Sequence, residues 1–255
     1  MKFLVKVIFL LVVDSLISTK AFCTENDSIT LLSGISRPPF IIAEDNKGMQ
    51  IEIIKAAFAY SNTQVNFMYF PMIRQVEVYK KRNIEGLITL SENDNELGLY
   101  LSKPYISYEN VVITLASNNF DINKISDLSK VSVAAFQSAS KFFGDKFNYI
   151  FEDSSSYVEV ENQKSQLALL FTKRVDAIVI DINIFKHLLI LMRKENNNLY
   201  NEEVVVHQLF EKADYVAGFT EEKHQKDFDK GIAEIKTNGN YQKIIDSYLE
   251  LKKND

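Results

Sequence analysis

Cysteine is nearly missing from this 255-residue chain: Cys23 stands alone, so no internal disulfide can form and a disulfide-stapled scaffold is excluded. Histidine is almost as scarce. His187, His207 and His224 show no ligand-like spacing with one another or with the cysteine, so neither a transition-metal site nor any cofactor is expected. Positive charge is not in excess either. With 29 Lys and Arg against 34 Asp and Glu the net charge is −5, and the basic stripe that phosphate backbones require is missing, so no nucleic-acid partner is expected. The sequence contains no Gly-x-Ser-x-Gly, His-Glu-x-x-His, phosphate loop or Gly-x-Gly-x-x-Gly, and catalysis is not expected. What remains is ordinary globular composition, 46% hydrophobic and 25% charged, which excludes disorder and collagen and suffices for one large domain or two small ones.

The first 23 residues begin with Lys2 and Lys6, pass through the apolar run Val7 to Val13 and reach small residues around Ala21. That is the order of a secretory signal peptide, although Asp14 interrupts it. Lys6, Asp14 and Lys20 break the stretch too often for a permanent transmembrane anchor. Lys20 and Phe22 do not suit acylation of Cys23. Cleavage after Cys23 would remove a segment of charge +2, taking the chain from −5 to −7, and would leave a cysteine-free, exported, periplasmic protein.

From Ser28 onward short β-type runs alternate with helical-period runs, which predicts an α/β architecture on mostly parallel sheets. Ile29 to Leu32 reads as a strand and Gly34 to Pro39 as a turn. Met49 to Tyr60 reads as a helix with Met49, Ile53, Ala56, Ala57 and Tyr60 on one face, followed by a strand at Gln64 to Phe70 and a helix at Met72 to Lys81. Further strands are expected at Gly86 to Leu90, Asn110 to Leu115, Val131 to Ala135, Ala177 to Ile180, Val204 to His207 and Tyr215 to Phe219. Further helices are expected at Ser138 to Phe147, Lys164 to Thr172, Asn183 to Met192, Glu222 to Lys236 and Tyr241 to Leu251. Two similar βα groups followed by a shorter tail suggest two lobes.

Four segments then occur in order: Arg37-Pro38-Pro39-Phe40 with Gly48-Met49-Gln50-Ile51-Glu52; Leu101-Ser102-Lys103-Pro104-Tyr105; Lys173 to Asp181; and Asn238-Gly239-Asn240-Tyr241. Together they resemble the bacterial periplasmic solute-binding proteins of the polar-amino-acid ABC-transporter type, extracellular solute-binding protein family 3. The segment Phe70 to Arg74, followed by Asn83 to Leu87, resembles a divergent branch whose members often lack a known amino-acid ligand. The resemblance implies a two-lobe, hinge-bending monomer of the type II periplasmic-binding-protein fold. Lobe 1 would be 28–109 plus 211–250, lobe 2 would be 112–204, and the crossings would lie near 109–112 and 205–208. It implies a small polar ligand, an amino acid or related compound, held between the lobes and passed to the membrane permease of an ABC transporter. A sensing subunit for a membrane receptor and a binder that has lost its ligand are the other readings.

By the same resemblance Phe40 matches an aromatic that stacks on ligand, and Asp181 a carboxylate that receives a ligand ammonium. Gln137 and Ser138 match a loop that binds a ligand carboxylate, and Thr89 and Ser91 face it from lobe 1. The family's carboxylate-clamping Arg is missing: Ser91 to Glu96 holds none, with Asn95 about where it would fall. Either Arg74 or Arg37 replaces it, or the ligand is not an ordinary α-amino acid, the reading preferred here. Each residue also has a plain structural role. Asp181 and Ser138 suit helix caps, Phe40 a core position and Arg74 a solvated helix face. Glu52 and Glu85 lie within elements where a structural role suffices.

Overall fold

The computed structural model describes residues 27–93, 97–151, 156–196 and 198–250. The expected leader at residues 1–23 and the candidate Asn95 lie outside them. In chain order the elements are β1 (Ser28–Ser33), α1 (Met49–Phe58), β2 (Gln64–Tyr69), α2 (Met72–Lys81), β3 (Gly86–Leu90), β4 (Tyr100–Leu101), β5 (Ile106–Tyr108) and β6 (Asn110–Leu115). Then follow β7 (Val133–Phe136), α3 (Ala139–Phe143), α4 (Asp145–Asn148), β8 (Tyr157–Val160), α5 (Gln163–Phe171), β9 (Ala177–Asp181), α6 (Ile182–Glu195), β10 (Val204–His207), β11 (Ala213–Phe219), α7 (Glu222–Thr237) and α8 (Asn240–Leu249). No helix of the described residues is long and apolar enough to cross a membrane.

The strands form two sheets, giving a two-lobe α/β molecule. The first has the order β2-β1-β3-β11-β4 with β5 also on β11, and the second the order β10-β6-β9-β7-β8. Both are mixed, which corrects the expectation of mostly parallel sheets. Strands joined by helices (β1 with β2 and β3, β7 with β8 and β9) pair parallel, as right-handed crossovers require. β6, β10 and β11, which carry the chain between the sheets, pair antiparallel. Every residue of β9 is buried, which explains its unbroken Ala-Ile-Val-Ile run: a central strand covered on both faces cannot alternate. One residue, Glu109, separates β5 in the first sheet from β6 in the second, and residues 208–212 carry the chain back from β10 to β11.

Three further expectations need correction. The helix read over Ser138 to Phe147 is two short helices, because Gly144 (φ 74°, ψ −165°) leaves the helical region between α3 and α4. The buried face of α1 is Met49, Gln50, Ile51, Ile53, Ile54, Ala57 and Phe58, so it includes a glutamine, and Tyr60 lies exposed beyond the helix. Strand β8 went unread because it is a partly exposed edge with Glu159 in its middle.

The largest core cluster runs through both lobes, from Ile29, Phe58 and Phe228 through Phe40 and Tyr108 to Ile180, Ile184 and Phe185. Helix α7 buries His224, Phe228, Gly231, Ile232 and Ile235 against α1 at helical spacing. Gly231 permits the contact: a Cβ there would stand 2.1 Å from the carbonyl oxygen of Ala57. The last helix, α8, ties the lobes. The Tyr248 hydroxyl accepts from the Gly48 N–H (2.9 Å) and donates to Glu52 (2.7 Å), while its carbonyl oxygen lies 3.2 Å from His187 Nδ1 on α6. Substituting Gly231→Ala forces α1 and α7 apart and should destabilise the fold by about 2 kcal/mol in urea unfolding, although alanine is the better helix former.

Candidate ligand-binding site

In each sheet the loops after the parallel strands leave from the carboxyl ends, the ordinary position of ligands in α/β sheets. After β1 the chain turns through Gly34 to Pro39, closed by the Phe40 N–H donating to the Arg37 carbonyl (3.0 Å) and the Arg37 N–H to that of Ile41 (2.8 Å). Phe40 is fully buried and stacks on Tyr108 at 4.0 Å between centroids. One ring face of Phe40 is therefore spent on the protein itself. Arg37 is exposed, with its guanidinium carbon 6.0 Å from the Tyr108 ring centroid.

Behind this pair lies a buried amide that sequence reasoning passed over. Gln50, with no solvent exposure, donates from Nε2 to the Thr89 hydroxyl (2.6 Å) and the Tyr105 hydroxyl (2.5 Å) and accepts from the Tyr108 hydroxyl (3.3 Å). Thr89 takes a left-handed conformation (φ 64°) at the end of β3, which turns its hydroxyl to this network. Burial pushes the Tyr108 phenol above its usual range; the Arg37 charge opposes that and the Asp181 charge adds to it.

In the second sheet Ala135 of β7 is in register with Val179 of β9, so Gln137 and Asp181 leave the sheet at the same level. Asp181 is 3% exposed. Its Oδ1 accepts from the N–H groups of Asn183 (2.8 Å) and Ile184 (3.0 Å), capping α6, and its Oδ2 accepts from the Glu109 N–H (2.8 Å) at the crossing. Burial raises its pKa to about 6; the three N–H groups pull the other way, and the Glu109 charge adds to the rise. Gln137 and Ser138 are exposed, and Ser138 is left-handed (φ 66°) with no side-chain cap bond. The N–H groups of Ser138 and Ser140 both donate to the Glu159 carboxylate at 2.7 Å, and the Tyr157 hydroxyl joins them at 2.9 Å. Burial disfavours the Glu159 charge, but the Ser140, Tyr157 and Ser138 hydrogen bonds outweigh it and hold the carboxyl below its usual range.

The structure thus gathers Phe40, Thr89 and Asp181 around Tyr108 and Gln50. It leaves the others apart. Arg74 is exposed on α2, and among the described residues no hydrogen bond, ion pair or ring contact joins it to this group. Ser91 accepts from the Asn93 N–H (3.3 Å). Beside the crossings lies a cavity of about 340 Å³, lined by Phe40, Met49 and Ile106 from one lobe and by Ile182, Asn183 and Lys186 from the other. Glu109, on its wall, pairs with Lys212 (3.1 Å) and accepts from Gln208 (3.1 Å). No group of His, Cys, Asp and Glu able to hold a metal occurs among the described residues.

Many solved structures share this fold. A polar amino acid ABC uptake transporter substrate binding protein from Streptococcus thermophilus superposes with a TM-score of 0.65 at 17% identity, over 90% of this chain and 92% of that one. The chain has the fold of the two-lobe solute-binding proteins. The L-cystine solute receptor of Neisseria gonorrhoeae, in its unliganded open conformation, gives 0.64 at 19% identity over 88% and 94%. A histidine kinase sensor domain with similarity to periplasmic binding proteins gives 0.62 at 16% over 89% and 97%. No protein-family model and no curated protein matches the chain.

Because the folded-state pKa of Asp181 is raised, its ionised form is a cost to the fold. The stability it contributes is fully present below pH 4 and is lost as pH rises through about 6. Carboxyl-carbon NMR should show this titration near 6; a midpoint near 4 would refute the burial argument. Asp181→Ala, which removes three accepted hydrogen bonds and leaves the Glu109 N–H without that acceptor, should destabilise the protein by roughly 2–4 kcal/mol in urea unfolding.

Proposed function

We propose that this chain is an exported, periplasmic, monomeric solute-binding protein. It captures a small polar ligand between two hinged lobes and delivers it to an ABC-type membrane transporter. The observation that carries the reading is Asp181, a buried carboxylate at the junction of the lobes that makes no ion pair among the described residues. A buried charge of this kind is completed by a cation, and the attraction grows as water leaves a closing cleft. Its Oδ2 accepts one N–H and retains a lone pair for a ligand ammonium. From the other lobe Arg37, Tyr108 and Thr89 present a cation, an aromatic edge and a hydroxyl. Ligand touching both lobes would favour the closed arrangement, because only there are both sets of contacts made. Gln137 and Ser138 remain candidates on lobe 2, and Ser91, Asn95 and Arg74 on lobe 1, with Arg74 the least supported.

The likeness to a histidine kinase sensor domain favours a second reading, in which the same closure signals to a membrane receptor instead of feeding a permease. Either way no catalytic step is proposed, and the fold does not by itself decide the use.

A thermal-shift screen of residues 24–255 against amino acids, amines, small peptides, organic acids and sugars should give at least one hit, and silence across all of them would defeat the reading. With the hit in hand, Asp181→Asn should weaken binding by about 2 kcal/mol, roughly thirtyfold, while leaving the fold intact. Calorimetry in buffers of different ionisation enthalpy should show a cationic ligand releasing about half a proton at pH 6 and none at pH 8, since the ammonium restores the ionised carboxylate.

A further inference from the structure

A ligand carboxylate needs a guanidinium fork or converging N–H groups, and the described cleft offers little of either. At the end of β7 the N–H groups of Ser138 and Ser140 do converge, but the point they share is filled by the chain's own Glu159, held at 2.7 Å by both. The Tyr157 hydroxyl, a third donor, fixes it there. In the sequence, residues 83–102, which include β3, contain no Arg or Lys and four acidic residues. Asp181 adds a further carboxylate beside the crossing, two strand spacings from β8, roughly 10 Å. Arg37 lies over Tyr108, and Lys212, at the crossing, is already paired with Glu109 (3.1 Å).

We propose that Glu159 is a built-in occupant of the anion position, so that the cleft selects an organic amine that carries no carboxylate. This rests on the binding reading above. The amine pairs with Asp181, while Glu159 both fills the donors that a ligand carboxylate would use and repels one that approaches. An amino acid would have to displace a carboxylate already fixed by three hydrogen bonds.

Matched pairs differing only in the carboxylate test this directly: putrescine against ornithine, cadaverine against lysine, histamine against histidine, and tyramine against tyrosine. They would be titrated by calorimetry at pH 7.5 into the wild-type chain and into Glu159→Ala and Glu159→Gln. At least one amine should bind the wild type ten times more tightly than its parent amino acid, and Glu159→Ala should strengthen the amino acid about tenfold by freeing both N–H groups. If Glu159→Ala does not fold, the same narrowing of the gap, though smaller, is read from Glu159→Gln, which keeps the shape and removes the charge. A wild type that prefers the amino acids overturns the proposal and leaves the binding function standing, and loss of that binding in Arg37→Ala would then identify Arg37 as the replacement donor. An amine preference unchanged in both Glu159 variants also overturns it. Silence of wild type and variants towards every pair, with a hit for a sugar or organic acid in the wider screen, overturns it alone; silence everywhere removes the binding reading as well.

Discussion

The molecule turns on one buried carboxylate. Asp181 ends the central strand of the second sheet, starts α6 and holds the N–H of Glu109, the single residue between the sheets. Its position follows from topology. β9 lies between β6, which brings the chain into the second lobe, and β7, so the end of β9 meets the crossing in register, with Asn110 opposite Asp181. Burial opposes the charge while three N–H groups favour it, and neither the neutral nor the ionised form is fully satisfied. A group held in that balance responds strongly to a cation.

Glu159 shows the same economy. Several acidic side chains likewise act as acceptors for backbone N–H groups: Glu85 for Thr30, Asp176 for Ser132, Asp127 for Asn123 and Lys124, Asp181 for α6, and Glu159 for the start of α3. The ion pairs, by contrast, are largely exposed and contribute little. Part of the negative charge therefore closes loops near strand ends. These are also the loops a ligand would meet.

The architecture was legible where burial imposes a period. The continuous apolar run of β9 and the i, i+4, i+8 positions of α6 and α7 could each be read from residue type alone. What escaped was set by distance. Whether β6 and β11 run parallel or antiparallel depends on where the chain returns, which no local pattern records, and β8 is an edge whose Glu159 interrupts any alternation. Of the site, Asp181 and Phe40 were visible because a strand end before a helix and an aromatic after two prolines are local features. Gln50 was not, although a polar residue sharing a face with Ile53 and Ala57 was a usable sign. Nor was Glu159, since an acid on an edge strand looks like ordinary solvation until the fold brings Ser138 and Ser140 to it.

The two lobes are joined by more than their two crossings. Helix α8 belongs to the first lobe through the Tyr248 hydroxyl, yet its carbonyl oxygen meets His187 on α6 of the second. Two covalent pins alone would allow both bending and twisting. The His187 contact is a third foothold, non-covalent, and any movement of α6 relative to α8 would have to stretch or break it. On the hinged reading proposed above, α8 would act as a clasp whose grip the lobes must respect or release.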